Sequence, residues 1–407
     1  MIVNVIGLGY IGLPTALMLS ANGVDVVGTD CNLELVNILN SGDITFEEKG
    51  LKELYDIAVK NGIKFCSDYE CADIYIISVP TPYDDTSKKV DPSFVIAAVC
   101  SVLERCKNGA IIVIESTIAP GTIKQYIEPL LSEYGFIPNV DVYLAHAPER
   151  IIPGNMIFEL QNNNRTIGAD NFEIGEKIKS LYSVFCRGHI VVTDIKTAEM
   201  SKVVENTYRA INIAFANELL KICQLVDINV YDLIKVCNMH PRVNILSPGP
   251  GVGGHCIPVD PWFLVGEYPL ETKLINDALE INAQMPEYVL NRIYEIMQKT
   301  GIEDLNRVGL YGLTYKENVD DIRESPSLQL LDCQRRHLAL PLKVYDPFIT
   351  TQIVENQYYN FDSFLSAVDL VVIMVKHKEL CDNIEKLRGK VVLDCQNICN
   401  LEGTYYL

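Results

Sequence analysis

The chain opens MIVNVIGLGYIG, and no other stretch limits its fold as tightly. A short apolar run that reads as a strand passes straight into Gly7, Gly9 and Gly12, spaced GxGxxG, and then into a helical pattern. Each glycine has its own task in such a turn. Gly7 permits the tight bend, Gly9 lets backbone approach a pyrophosphate, and Gly12 lets the helix pack close to the strand. The phosphates of a dinucleotide then face the helix N-terminus, with Tyr10 and Ile11 in the same loop. Asp30 closes the next strand-like run, VDVVGTD at 24–30, where a carboxylate bonds both ribose hydroxyls and repels a 2′-phosphate. That favours NAD over NADP. The competing reading is an incidental glycine turn, and the strand, helix and acidic residue in place argue against it.

The rest of the chain extends the pattern. Strand-like runs recur at 73–80, 110–117, 141–149 and 189–194, with helical spacing between them, as in PSFVIAAVCSVLERC at 92–106. Strands alternating with helices predict a parallel, doubly wound sheet. Near residue 195 the pattern changes: KTAEMSKVVENTYRAINIAFANELLKICQLVD, 196–227, holds no Gly or Pro and keeps a helical period throughout. Segments 230–240 and 271–301 also read as helices. From about 305 the alternation resumes, with strands at 307–313, 342–348, 369–375 and 390–395 and a helix over 325–336, Ser325 as its N-cap and Pro326 in its first turn. The two α/β ends are similar in type only. The expected architecture is two Rossmann-like, doubly wound parallel-sheet domains, 1–195 and 303–407, joined by a helical middle domain, 196–302, built on one long helix. At 407 residues the chain exceeds the roughly 250–300 at which single cores stop growing.

Composition narrows the functional classes. The net charge of −19 disfavours nucleic-acid binding that depends on Lys and Arg meeting phosphates. The longest apolar runs fall short of the roughly 20 residues a membrane span needs. The N-terminus lacks a signal peptide's basic start and cleavage site, so a cytoplasmic location is expected. Thirteen cysteines are scattered without a CxxC pair, which supports neither a metal site nor a disulfide framework.

One cysteine stands apart. Residues 248–262 read PGPGVGGHCIPVDPW, placing Cys256 where neither helix nor strand forms. The plain alternative is a glycine-rich surface loop that happens to hold a cysteine. Thr81 of SVPTP and Thr117 of ESTIAPGT follow strands of the first sheet, where loops line the ligand crevice, and their hydroxyls suit a nicotinamide end; each could equally be a plain turn. On the long helix Lys202 and Asn206 are spaced i, i+4, with Arg209 about one turn on. That set could simply be the solvated stripe of an apolar helix. Together, an NAD site, a loop cysteine and a helix lysine point to oxidation through a thiohemiacetal and a thioester, with an ammonium or amide stabilising the oxyanion.

The ordered motifs GLGYIGLPTA, VPTP, EST, APERIIPG, NRTIG, TAEMSKVVENTYRAINIAFANEL, HPRVNIL, PGPGVGGHC, VDPWF and GLTYKENVDDIRESP cover essentially the whole chain. In them the sequence resembles the UDP-glucose/GDP-mannose dehydrogenase family. The resemblance implies an NAD-binding domain, a middle domain that dimerises through its long helix, and a UDP-binding domain. It implies four-electron oxidation at C6 of a UDP-sugar with Cys256 as nucleophile, the loop glycines bringing backbone close to the sugar nucleotide. Lys202 and Asn206 would stabilise the oxyanion, Lys202 also moving protons, and Asp260 would orient the hydrolytic water or the Lys202 ammonium. Glu149 and Thr117 would serve in water-mediated proton transfer, although Glu149 could instead pair with Arg150. Arg150, Ile151, Arg209, His240, Arg242, Gly253, Tyr315 and Lys316, with Lys202 and Asn206, would contact the UDP-sugar, and Arg323 would reach the NAD. His255 is expected to be structural rather than half of a Cys–His dyad.

Two departures from the family pattern matter. Pro153 stands where UDP-glucose enzymes have a second Glu, and Gln396 stands where relatives place a basic residue against the nucleotide. HPRVNIL and VDPWF resemble the branch acting on a UDP-N-acetyl-hexosamine, with UDP-N-acetyl-D-mannosamine ahead of its C2 epimer UDP-N-acetylglucosamine. A two-electron hydroxyacid dehydrogenase would need no cysteine, and a non-catalytic nucleotide-sugar sensor would not need every catalytic position filled. The apolar residues of the long helix, Val203, Val204, Ile211, Ile213, Phe215, Leu219 and Leu220, exceed what one domain face requires; such a stripe is more often internal core, and the homodimer expected here is what the resemblance implies.

Overall fold

The structure, a computed structural model, describes residues 1–82, 84, 90–152, 154–254, 256–336 and 342–407. The expectations for Pro153 and His255 lie outside the described residues. The chain forms two compact units, Met1–Glu205 and Asn206–Leu407.

The first unit is built on eight strands: β1 (Ile2–Ile6), β2 (Asp25–Thr29), β3 (Lys64–Cys66), β4 (Ile74–Ile77), β5 (Ala110–Ile114), β6 (Val142–His146), β7 (Arg165–Ala169) and β8 (Ile190–Thr193). Their order is β3-β2-β1-β4-β5-β6-β7-β8. Neighbours are parallel except β6 and β7, where Ala145 pairs Ala169 and His146 pairs Gly168 in opposite directions. Both faces are covered, and the central strands β4 and β5 are buried along their whole length. On β4, Ile74 and Ile76 pack with Leu13 and Leu17 on one side, while Tyr75 and Ile77 pack with Val95 and Val99 on the other. The strand order reverses between β1 and β4, the place where such sheets open a crevice at the strands' carboxyl ends.

The second unit contains β9 (Val308–Tyr311), β10 (Lys343–Tyr345), β11 (Gln357–Tyr358), β12 (Leu370–Ile373), β13 (Val391–Asp394) and β14 (Thr404–Tyr406), all neighbours parallel. Its order, β11-β10-β9-β12-β13-β14, repeats that of the first six strands of the other unit. The two ends are therefore alike in topology as well as type, which corrects the sequence reading.

The long helix runs Ile195–Leu225, and the division between units falls inside it. Ile195 belongs to the core of the first unit, while Ala216, Leu220 and Cys223 belong to that of the second. The helix expected over 271–301 is two, Lys273–Ala283 and Met285–Thr300. Pro286 lies in the first turn of the second one, where its missing N–H is harmless, whereas inside one continuous helix it would remove a bond and clash.

Candidate active site

The dinucleotide loop has the geometry its spacing predicts. Gly7 sits at φ +87°, and a Cβ there would meet the Ser78 carbonyl oxygen at 2.4 Å. A Cβ on Gly12 would meet the Gly7 carbonyl oxygen at 1.8 Å, so the helix start can lie this close only without a side chain. Around Gly9 there is open space within 4 Å, as close approach of a phosphate requires. The helix Gly12–Ala21 starts with no side-chain cap and no acidic residue in its first turn, so its N–H groups suit an anion. Asp30 accepts from the Leu8 N–H at 2.8 Å and the Asn32 N–H at 2.8 Å, which fixes its carboxylate beside the glycine turn. These residues fit NAD. Tyr10 is exposed against Phe46, Thr81 is buried, and Thr117 is half-buried just past β5.

In the second unit a helix-borne row of amides holds the cysteine loop. Asn206 donates to Asp260 Oδ2 at 2.6 Å. Asn212 accepts from the Leu246 N–H at 2.9 Å and donates to the Asn244 carbonyl at 2.8 Å, and Asn217 accepts from the Gly249 N–H at 3.0 Å. Asn206 and Asn217 are buried, as is Lys202 one turn earlier, so this is no solvated stripe. Cys256 itself is exposed, and its carbonyl accepts the N–H groups of Val259 and Asp260 at 3.2 and 2.8 Å. Thiol and carboxylate thus lie on one turn, and Asp260 begins the helix Asp260–Glu267.

Gly251, Gly253 and Gly254 of the loop lie against neighbouring protein, while Gly249 has open space around it. A Cβ on Gly253 would meet Tyr315 Cβ at 2.6 Å, one on Gly254 the Tyr315 ring at 2.8 Å, and one on Gly251 Pro326 at 3.0 Å. The Gly254 N–H also donates to the Arg323 carbonyl at 2.9 Å. Arg323 is clasped by Asp321 at 2.5–3.1 Å. Its pKa is held up first by that hydrogen bond, with the Cys256 charge among the smaller contributors.

The loop carrying Tyr315 and Lys316 is pinned from below by two residues that sequence reasoning missed. The buried Asp346 carboxylate accepts the N–H groups of Leu313, Thr314 and Phe348 at 2.6, 3.0 and 2.8 Å. His377, wholly buried, accepts the Asn318 N–H on Nδ1 at 3.0 Å, leaving Nε2 to donate to Asp346 at 3.1 Å. Burial alone would raise the Asp346 carboxyl, yet the His377 hydrogen bond and the backbone N–H groups hold it below its ordinary value. That contribution is present above the unfolded carboxyl's pKa of about 4 and is lost as pH falls through the folded value. Asp346→Asn turns donors toward those N–H groups and is expected to lower unfolding free energy by about 2–4 kcal/mol. Urea unfolding near neutral and near acid pH checks this, since the variant should also lose part of the wild type's acid sensitivity.

In the first unit Glu149 is buried, and its guanidinium partner is Arg165 rather than Arg150. Arg150 gives Glu149 only its backbone N–H, at 2.7 Å, and turns its side chain to Glu205 at 2.6 and 2.8 Å. Ile151 is half-buried in the same loop; Arg209, His240 and Arg242 are exposed on the second unit, and Gly253, Tyr315 and Lys316 are half-buried there. Gln396 donates its amide to the Met374 carbonyl at 2.6 Å. A cavity of about 330 Å³ beside Gly121 and Glu199 contains none of the expected site residues, and Glu199 is spent capping the N–H groups of Gly121 and Ile123. Among the described residues no cluster of His, Cys, Asp and Glu could hold a metal ion, and no helix is long and apolar enough to cross a membrane.

Comparison with known proteins agrees with this geometry along the whole chain. A curated UDP-N-acetyl-D-mannosamine dehydrogenase of Methanococcus maripaludis is 45% identical over 97% of this chain and 92% of its own length. An NDP-N-acetyl-D-galactosaminuronic acid dehydrogenase of Ralstonia nicotianae is 38% identical over 97% and 96%. The solved UDP-D-ManNAc dehydrogenase of Pyrococcus horikoshii superposes with a TM-score of 0.91 at 34% identity, covering 100% of this chain and 98% of that one. The family's NAD binding, central and UDP binding domains match residues 1–186, 196–284 and 309–401 in turn. With its dinucleotide turn, its cysteine loop and its second sheet each falling under the corresponding domain, the chain belongs to the UDP-glucose/GDP-mannose dehydrogenase family and uses NAD.

Proposed function

We propose that this protein oxidises UDP-N-acetyl-D-mannosamine at C6 to the uronate, for a surface polysaccharide, as a cytoplasmic homodimer. The observation that carries the reading is the turn that exposes Cys256 while burying Asp260 against Asn206. The turn at Gly7, Gly9 and Gly12 with Asp30 would hold NAD, and two equivalents would supply the oxidant for the two hydride transfers. The chain's own residues do the rest. Cys256 as thiolate adds to the C6 aldehyde, giving a thiohemiacetal whose oxidation leaves a thioester. Water then cleaves the C–S bond, releasing the carboxylate and regenerating the thiol. Overall one alcohol, one water and two NAD give one carboxylate, two NADH and three protons.

Lys202 and Asn206 stabilise the oxyanion, and Asp260 orients the hydrolytic water or the Lys202 ammonium. Glu149 and Thr117 relay protons. Asp30 and the turn at Gly7, Gly9 and Gly12, with Tyr10, Ile11, Thr81 and Arg323, hold the dinucleotide. Tyr315, Lys316, Gly253, Arg150, Ile151, Arg209, His240 and Arg242 hold the UDP-sugar.

The sugar assignment draws on the mannosamine relatives at 45% and 34% identity. The homodimer draws on the long helix, whose exposed apolar side chains, Val204, Tyr208, Phe215, Ile222 and Leu225, recur at helical spacing on one stripe. The stripe differs from the sequence reading, because Val203 and Leu220 are wholly buried. Incubation with NAD and each UDP-N-acetyl-hexosamine epimer should yield about two NADH per manno sugar, since both oxidations occur on one enzyme. One NADH per sugar rejects the covalent route, and turnover of the gluco or galacto epimer alone rejects the sugar assignment. Light scattering of the same preparation should give twice the chain mass of 45.6 kDa.

A further inference from the structure

Buried charge in the first unit gathers at one point. Glu115, Glu149 and Arg165 are all at least nine-tenths buried, yet they come from three separate segments. Glu115 follows β5 and Glu149 lies just past β6. Arg165 is the first residue of β7, the strand that runs antiparallel to β6. That reversal places its start beyond the carboxyl end of β6, at the sheet edge where Thr117 also lies; a parallel strand would have put it at the opposite edge.

One guanidinium serves both carboxylates. Arg165 Nη2 donates to Glu149 Oε2, while Nη1 lies 3.9 Å from Glu115 Oε1. The other Glu149 oxygen takes the Arg150 N–H. Glu115 accepts from Ser78 at 2.6 Å, Tyr182 at 3.0 Å and Thr15 at 3.5 Å. The guanidinium lies 4.6 Å from the Tyr182 ring centroid and 5.3 Å from that of Phe185, so its position is fixed by packing on its faces. Two buried carboxylates facing one buried cation leave a net negative charge, which is costly away from water.

We propose that Arg165 is a positioning residue that orients Glu149 and keeps it ionised, and that Glu115 competes with Glu149 for the same guanidinium. The proposal rests on the assignment of proton transfer to Glu149. Burial first, then the Glu149 charge, pushes Glu115 up to about 7, against Arg165, Ser78 and Tyr182, so its charge changes within the working range. The other titratable groups facing the cluster are Tyr182, raised well above its ordinary value by burial, Cys186, Arg150 with its partner Glu205, and His146, pushed down to about 4 by burial.

The test is the pH dependence of kcat for the full-length enzyme with NAD and UDP-N-acetyl-D-mannosamine. Arg165→Met takes the counter-ion from Glu149, so the acid limb should move to higher pH by about one unit or more. Glu115→Gln removes a carboxyl that is mostly protonated below pH 7, so it should leave the acid limb in place and abolish the change in kcat that accompanies Glu115 ionisation near pH 7. Arg165→Lys keeps the charge and should leave the limb nearer its original position. KM for NAD should stay within about threefold in all three.

A packing role alone predicts lower kcat at every pH with the limb unmoved, and that result overturns the proposal. So does a rise of the acid limb in Glu115→Gln equal to that in Arg165→Met. Should Arg165→Met fail to fold, loss of the kcat change near pH 7 in Glu115→Gln decides by itself, and its persistence overturns the proposal. Glu149→Gln separates the two layers. Near-normal turnover there removes the Glu149 assignment, and this proposal with it. Loss of turnover there with unmoved limbs elsewhere overturns only the positioning by Arg165.

Discussion

Cys256→Ser is expected to stop uronate formation, lowering kcat by on the order of 10⁴-fold or more, the scale on which removal of a covalent nucleophile acts elsewhere. A serine hydroxyl at neutral pH is a far weaker nucleophile than a thiolate. The fold should survive. Cys256 is exposed, and the contacts that shape its loop come from backbone groups, from Asn206, Asn212 and Asn217, and from Gly253 and Gly254 against Tyr315. Affinities for NAD and UDP-sugar should therefore change little, since the phosphate and ribose contacts proposed above belong to other residues. Calorimetric binding beside product analysis separates the two effects. If the variant still makes uronate at a near-normal rate, the stretch is only a glycine-rich turn and the thioester route is wrong.

Lys202→Ala should be the next most damaging change, costing on the order of 10²–10³ in kcat, as loss of an oxyanion donor does in other enzymes. Lys202 is buried one helical turn before Asn206, so the two residues lie on one face of the helix. Asp260→Asn should act differently. It leaves the Asn206 amide facing a second amide and removes the carboxylate assigned to the hydrolytic water, so the thioester should outlive its formation. Intact-protein mass spectrometry after mixing with NAD and UDP-sugar should then show a sugar adduct on Cys256. An adduct that accumulates instead in Lys202→Ala would exchange the two roles.

What sequence pattern could reveal here follows from how local each device is. GLGYIG was legible because strand, turn and helix are consecutive, and the long helix because its period persists without Gly or Pro. The short strands β3, β11 and β14 carry two or three residues each and offer no period to detect. β7 begins with a charge and contains Gly168, both foreign to a buried strand, yet Gly168 is required because a Cβ there would meet Ala198 at 2.6 Å. In the site, Cys256, Lys202 and Asn206 stood out by residue type and spacing. Arg165, Glu115, Asp346 and His377 did not, because nearly all their partners lie 16 to 100 residues away along the chain. The motif NRTIG contained Arg165, but only the antiparallel pairing of β7 says where that side chain goes. Likewise, a neighbour in sequence, Arg150, was the natural partner for Glu149 until folding gave it Glu205.

The fit of Gly253 and Gly254 around Tyr315 has a practical consequence for recombining relatives. The nucleophile's loop and the loop bearing Tyr315 and Lys316 share a tight interface in which no side chain can be added. They must be inherited together. A hybrid enzyme that takes a new sugar-nucleotide preference by replacing only the segment after residue 303 would mate a foreign aromatic to these glycines and misplace the thiol. A crossover inside the Ile195–Leu225 helix, near the division at Glu205 and Asn206, transfers both loops as one piece and leaves the dinucleotide half with its own proton-handling residues.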